Sequence, residues 1–137
     1  MIIKYPAIIE PQEPSGLLVT FPDLNEAFTE GDNMEEALFN AQEVLNLTLA
    51  GRIDEGMDIP KPSNISNAVM VSPSTSIQSA LLVRFNRNGT SLSDLARKLE
   101  TSWPAAKRLE DPKHSPTLKQ LERAAHALGK RLILSFE

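Results

Sequence analysis

The chain has 137 residues, 41% of them apolar, no cysteine and a net charge of −4. That is enough to fold as one domain or two small ones. It excludes disulfides, thiol catalysis and zinc fingers, leaves only His114 and His126 for any histidine-based metal centre, and offers no run of about 18 apolar residues to cross a membrane. The charge is unevenly divided. Residues 1–60 hold two bases, Lys4 and Arg52, against twelve acids, whereas residues 61–137 hold twelve bases against six acids. An acidic half joined to a basic half points to two partners of opposite charge.

In chain order, Met1 to Pro6 reads as a strand start rather than a signal peptide, which gives a cytoplasmic address. Ile2 to Ile9 is β-rich. Glu10 to Gly16 is dense in turn formers, and Leu17 to Phe21 is a second strand, so the two form a hairpin with a longer loop. Pro22-Asp23 ends it, and Glu26 to Glu30 can hold a third strand. Asn33 is placed to cap a helix, with Glu36 closing a capping box and the first-turn acids favouring the positive end of the dipole. Ala37, Leu38, Ala41, Leu45, Thr48 and Leu49 make its buried stripe, and Gly51 is the expected stop. Residues 52–67 carry Pro60 and Pro62 and read as loop. Ala68 to Val71 is a short strand able to complete the sheet. One helix across antiparallel strands is a small α+β layer, assigned to residues 1–71. Residues 72–76 are polar, contain a proline and read as a linker.

Residues 77–137 form the second expected domain. Ile77 to Asn88 is a helix with Ile77, Leu81 and Phe85 inward. Ser91 is an N-cap, with Asp94 as an imperfect capping box. Leu92, Leu95, Ala96 and Leu99 recur at helical spacing, and Glu100-Thr101 breaks the pattern. Ser102 caps a second short helix with Pro104 in its first turn, where a missing N–H costs nothing. Ala106 and Leu109 fall on the buried face, Lys107 and Arg108 outside. Small Ala96 lets two helices cross closely, as a helix-turn-helix needs. Thr117 to Leu128 is the last helix, stopped by Gly129. Arg131 to Phe136 alternates Leu132, Leu134 and Phe136 on one side and reads as a strand. A lone strand is not stable, so a copy of itself in a second chain is the expected partner, through those three side chains.

Two resemblances accompany these patterns. Ser91, Leu95-Ala96, Leu99, Ser102, Arg108-Leu109-Glu110, Pro116-Thr117-Leu118, Leu121 and Ala127-Leu128-Gly129 resemble the lambda-repressor-like DNA-binding domains, over about residues 76–129. Leu92 stands where those domains usually carry a glutamine, and Glu100 replaces their usual turn glycine. Tyr5-Pro6, the strand pair, Phe21-Pro22-Asp23-Leu24, Gly31-Asp32 and Glu35-Glu36-Ala37 look like the HicB antitoxin family. The combined resemblance implies an α+β chain: a truncated RNase H-like sheet with one helix, then an all-α helix-turn-helix domain ending in a short strand. It also implies a partner, the HicA toxin, a small basic protein that cleaves mRNA, and repression of the chain's own operon.

The expected DNA contacts are Ser91, Ser102, Trp103, Ala105, Lys107, Arg108 and Lys113. Arg108 is the better base reader because its fork matches guanine. Lys107 and Lys113 suit phosphates. Trp103 is read first as packing on the domain's core and second as touching a sugar or a thymine methyl. The acids Asp23, Glu26, Glu30, Asp32 and Glu35 suit a surface that attracts a basic toxin. Read as a two-metal nuclease they would have to converge on ions about 4 Å apart, whereas Asp23 looks like a turn former, and Glu35 and Glu36 like helix-start residues. No Gly-rich phosphate loop, Ser/His/Asp set or Cys/His cluster is present, so neither an enzyme nor a cofactor is expected. The alternative reading is a ligand-responsive transcriptional regulator whose N-terminal domain senses a small molecule.

Overall fold

Four short strands, β1 (Tyr5–Pro11), β2 (Leu17–Thr20), β3 (Phe28–Gly31) and β4 (Val69–Val71), pair antiparallel in the order β3-β2-β1-β4. Register is set by Ile9 opposite Val19, Val19 opposite Thr29, and Tyr5 opposite Val71. The computed structural model describes all 137 residues and divides them into two units, Met1–Gln78 and Ser79–Glu137. In the first, one face of the sheet is covered by the 21-residue helix α1 (Met34–Asp54). Alternate strand residues Tyr5, Ala7 and Val19 are fully buried there, and α1 answers with Ala37, Ala41, Leu45 and Leu49. Burying each of these leucines contributes about 1.5–3 kcal/mol. Gly31 sets the closeness of the contact: a Cβ there would lie 2.4 Å from the Ala37 nitrogen.

Several local expectations need correction. β1 begins at Tyr5, not Ile2. β3 begins at Phe28, because a turn with Leu24 N–H on Phe21 O and Ala27 N–H on Leu24 O, both 3.0 Å, uses the residues before it. Leu38 is 38% exposed and Thr48 only half-buried. The buried residues step by four, so the contact line winds round the helix. At the level of Ala37, Leu38 is about 100° off that line. Gly51 does not stop α1. The helix runs on to Asp54, and Gly56 (φ +68°) supplies the left-handed cap. The supposed linker is tied to α1: Gln42 Nε2 donates to Ser72 O at 3.0 Å and Ser74 N–H to Asn46 Oδ1 at 2.8 Å. Helix α2 (Thr75–Arg87) has begun before residue 76, and the boundary between the units falls inside it.

In the second unit, α3 (Leu92–Lys98), α4 (Trp103–Arg108) and α5 (Leu118–Ala127) follow. Its core is Val83, Leu95, Leu99 and Ala124, with Leu109, Leu121, Ala127 and Leu128 packed around. Ile77, Leu81 and Phe85 of α2 are buried, as their spacing predicts. Two cross-links brace this unit. Arg87 holds Glu110 through Nε and Nη2 and donates from Nη1 to Thr90 O at 3.0 Å. Arg123 Nη2 donates to Leu99 O at 3.1 Å, at the carbonyl end of α3. The expected C-terminal strand is absent: residues 131–137 have no ladder, and Ile133, Leu134 and Phe136 are exposed. A strand exists only by pairing, and this chain offers these residues no second strand.

Candidate functional site

The α3–α4 pair is built by its caps. Ser91 Oγ accepts from Asp94 N–H at 3.0 Å and opens α3. The Ser91 hydroxyl, then the Arg97 guanidinium, hold the Asp94 carboxyl below its usual range. Ser102 Oγ accepts from Ala105 N–H at 3.2 Å and opens α4, whose first turn takes Pro104. Between the helices Glu100 adopts φ +54°. Glu100 N–H donates to Arg97 O at 3.1 Å and Thr101 N–H to Ala96 O at 2.9 Å, which ends α3 within one residue and starts α4 two residues later. Buried Ala96 and Ala106 leave α3 and α4 no bulk to separate them.

The seven expected nucleic-acid residues distribute along this pair. Ser91 and Ser102 are exposed caps, and Ala105 is half-buried. Lys107 and Arg108 are exposed on the outer side of α4, and Lys113 is exposed in the loop beyond it. Trp103 corrects its first reading. It is 45% exposed rather than packed into the core, and Lys107 Nζ stands 5.2 Å from its ring centroid. That cation–π contact links the first and last turns of α4. His114 Nε2 lies 3.6 Å from Asp111 Oδ2 in the same loop.

The five acids of the first unit do not form a cluster. Asp23 accepts from Ser63 N–H at 2.8 Å and from the Ser63 hydroxyl, which pins residue 63 to the end of β2. Glu26 is forked onto Arg52 of α1 with both contacts at 2.7 Å. That hydrogen-bonded guanidinium brings its carboxyl from 4.5 to about 2. Glu30 Oε2 accepts from Gln12 Nε2 at 2.7 Å. Asp32 and Glu35 are exposed where β3 passes into α1. No group of three or more His, Asp or Glu side chains is placed to hold a metal ion. The partners Arg52 and Ser63 escaped sequence reasoning because they lie 26 and 40 residues from the acids they bind. Nor did the pattern single out Phe39 and Leu47, which α1 leaves 64% and 73% exposed.

No helix is long and apolar enough to cross a membrane. A family model described as HicB-like antitoxin of bacterial toxin-antitoxin system matches residues 5–114. "Antitoxin HicB 2" of Photorhabdus laumondii is 35% identical, with 96% of this chain and 95% of that protein aligned. "Antitoxin HicB 1" of the same bacterium is 29% identical over 98% of this chain and 88% of its own length. "Antitoxin HicB" of Escherichia coli K12 is 28% identical over 96% and 98%.

Proposed function

The chain belongs to the HicB-like antitoxin family of bacterial toxin–antitoxin systems, and we propose that it masks a HicA-like mRNA-cleaving toxin with its first unit and represses its own operon with its second. As an antitoxin it is not an enzyme. The observation that carries the division of labour is the charge: one family match spans an acidic unit and the basic α3–α4 pair. An acidic surface repels RNA and attracts a basic protein. A basic surface attracts DNA phosphates. The first unit is read as the truncated RNase H-like sheet of the family, working without carboxylate catalysis. Its exposed Asp32 and Glu35 are the acids best placed to meet a basic partner, with Glu30 beside them. Asp23 and Glu26 serve the fold as well, through Ser63 and Arg52.

In the second unit α3 and α4 act as a helix-turn-helix, α4 entering the major groove. Arg108 reads a base, Lys107 and Lys113 meet phosphates, and the exposed caps Ser91 and Ser102 approach the backbone on either side. Trp103, under Lys107, offers an apolar edge to a sugar or thymine methyl. Two such units, joined through Leu132, Leu134 and Phe136, read two half-sites about 34 Å apart. Gel shifts over a salt series test this reading. Lys107→Ala should weaken binding at every sequence and reduce the salt slope by about one. Arg108→Ala should cost about 1–3 kcal/mol at one base and blur specificity there. Unchanged operator affinity in both variants would remove α4 from this role.

A further inference from the structure

A helix that covers a sheet is expected to turn polar side chains to water. α1 does not. Phe39, Glu43 and Leu47 each follow a buried residue, Ala37, Ala41 or Leu45, by two positions, which carries them about 200° round the helix. They form one outward line at i, i+4 and i+8, with Phe39 64% and Leu47 73% exposed. Large apolar groups held in line in water mark a contact surface rather than scatter. The charges around them are of one sign. Glu35, Glu36, Glu43 and Asp54 are all exposed, and the one base of the helix, Arg52, is turned away onto Glu26. A second copy of this chain is a poor occupant, because a two-fold contact centred on this line would set Glu43 against its own copy. Nucleic acid is repelled outright.

We propose that the outward face of α1 is the toxin-docking surface: Phe39 and Leu47 enter apolar hollows on a basic protein, while Glu43, with Glu35 and Glu36, meets its lysines and arginines. The proposal rests on the antitoxin reading above and moves its centre from the loop acids to the helix. Each anchor is large and held on a regular helix, with Glu43 one turn from both, and a few such residues can dominate an interface.

The test uses the full chain co-expressed with the HicA-like toxin of its neighbouring gene, with affinity measured by calorimetry and folding checked by thermal melts. Combined Phe39→Ser and Leu47→Ser should leave the melt unchanged and weaken binding about a hundredfold or more. Glu43→Lys should weaken it about tenfold and flatten its salt dependence. Phe28→Ser, a control on the sheet's edge strand, should bind within about twofold of the unaltered chain. If the unaltered chain binds and the double variant binds as well, the docking face lies elsewhere and the proposal falls. If the unaltered chain fails to bind, the antitoxin reading falls first and takes the docking face with it.

Discussion

Three helices of this chain end in the same hydrogen-bond pattern, and two of them use glycine for it. After α1, Gly56 (φ +68°) donates to Ile53 O at 3.2 Å and Met57 N–H to Arg52 O at 2.9 Å. After α5, Gly129 (φ +73°) donates to His126 O at 3.0 Å and Lys130 N–H to Ala125 O at 2.8 Å. After α3 the same two bonds are made with Glu100 at φ +54°. A side chain in that left-handed conformation costs about 1–2 kcal/mol, where glycine has no Cβ to clash. Glu100 is exposed and its side chain is not needed for the turn. Glu100→Gly should therefore raise the stability of the second unit by about 1 kcal/mol, part of the gain being lost to the freer unfolded chain. Urea unfolding would measure it. A variant no more stable than the parent would mean that the carboxylate contributes something the backbone geometry does not reveal.

At the scale of elements, two long-range ion pairs hold what the caps begin. Glu26 on Arg52 ties the β2–β3 connection to the last turns of α1. Because folding holds the Glu26 carboxyl near 2 rather than 4.5, chiefly through the Arg52 hydrogen bond, the folded state takes up this proton less readily than the unfolded chain. The pair's stabilisation is whole above about pH 4.5 and is lost as the pH falls toward about 2. Glu26 is nearly half exposed, so water screens the pair and its worth is at most about 1 kcal/mol. Glu26→Gln should lose stability at pH 7 and flatten the acid limb of the stability curve over that window. An unchanged limb would assign the acid sensitivity to other carboxylates.

Arg87 on Glu110 is better shielded, with side chains 23% and 11% exposed, and it fastens the end of α2 to the loop that leaves α4. Removing one partner strands the other charge. Glu110→Ala should cost about 2–3 kcal/mol, below the range for fully buried pairs, and should lower operator affinity although Glu110 is not among the expected DNA contacts. Chemical denaturation and gel shifts on one preparation would separate the two effects. Full stability in the variant would show the pair to be idle.

The elements themselves were largely legible, because caps are local. Asn33, Ser91, Ser102 and Thr117 each accept a hydrogen bond from the backbone three residues on. The ion pairs were not legible, since 26 and 23 residues separate their members. Nor were Leu38, misplaced by the winding of the α1 contact line, and Gly51, passed over because a better left-handed position waited at Gly56. Trp103 departs from the expectation that a large aromatic is buried, because the capping of α4 by Ser102 places it in the first, exposed turn.

At the scale of the molecule, residues 131–137 form no ladder and carry three large apolar side chains in water, Ile133, Leu134 and Phe136, while Leu132 is half-buried. Gly129 and Lys130 have already used their N–H groups to close α5, so the segment leaves the helix at a fixed point. An exposed apolar segment of strand-forming residues is a template for another chain. Two copies related by a two-fold would pair these backbones and cover Leu132, Leu134 and Phe136 on both sides. The same two-fold would present two copies of α4 to one face of a duplex, and binding through both multiplies the weak affinity of one. If this segment joins two copies and α4 binds the operator as proposed, deleting residues 131–137 should leave the protein monomeric, lower operator affinity by at least about tenfold, and leave toxin binding unchanged, since the proposed docking face lies on the first unit. Light scattering, gel shifts and calorimetry on the truncated chain measure the three in turn. A truncated chain that stays dimeric and keeps its operator affinity would place the two-fold contact elsewhere on the protein, and one that loses toxin binding would show that dimerisation completes the docking surface.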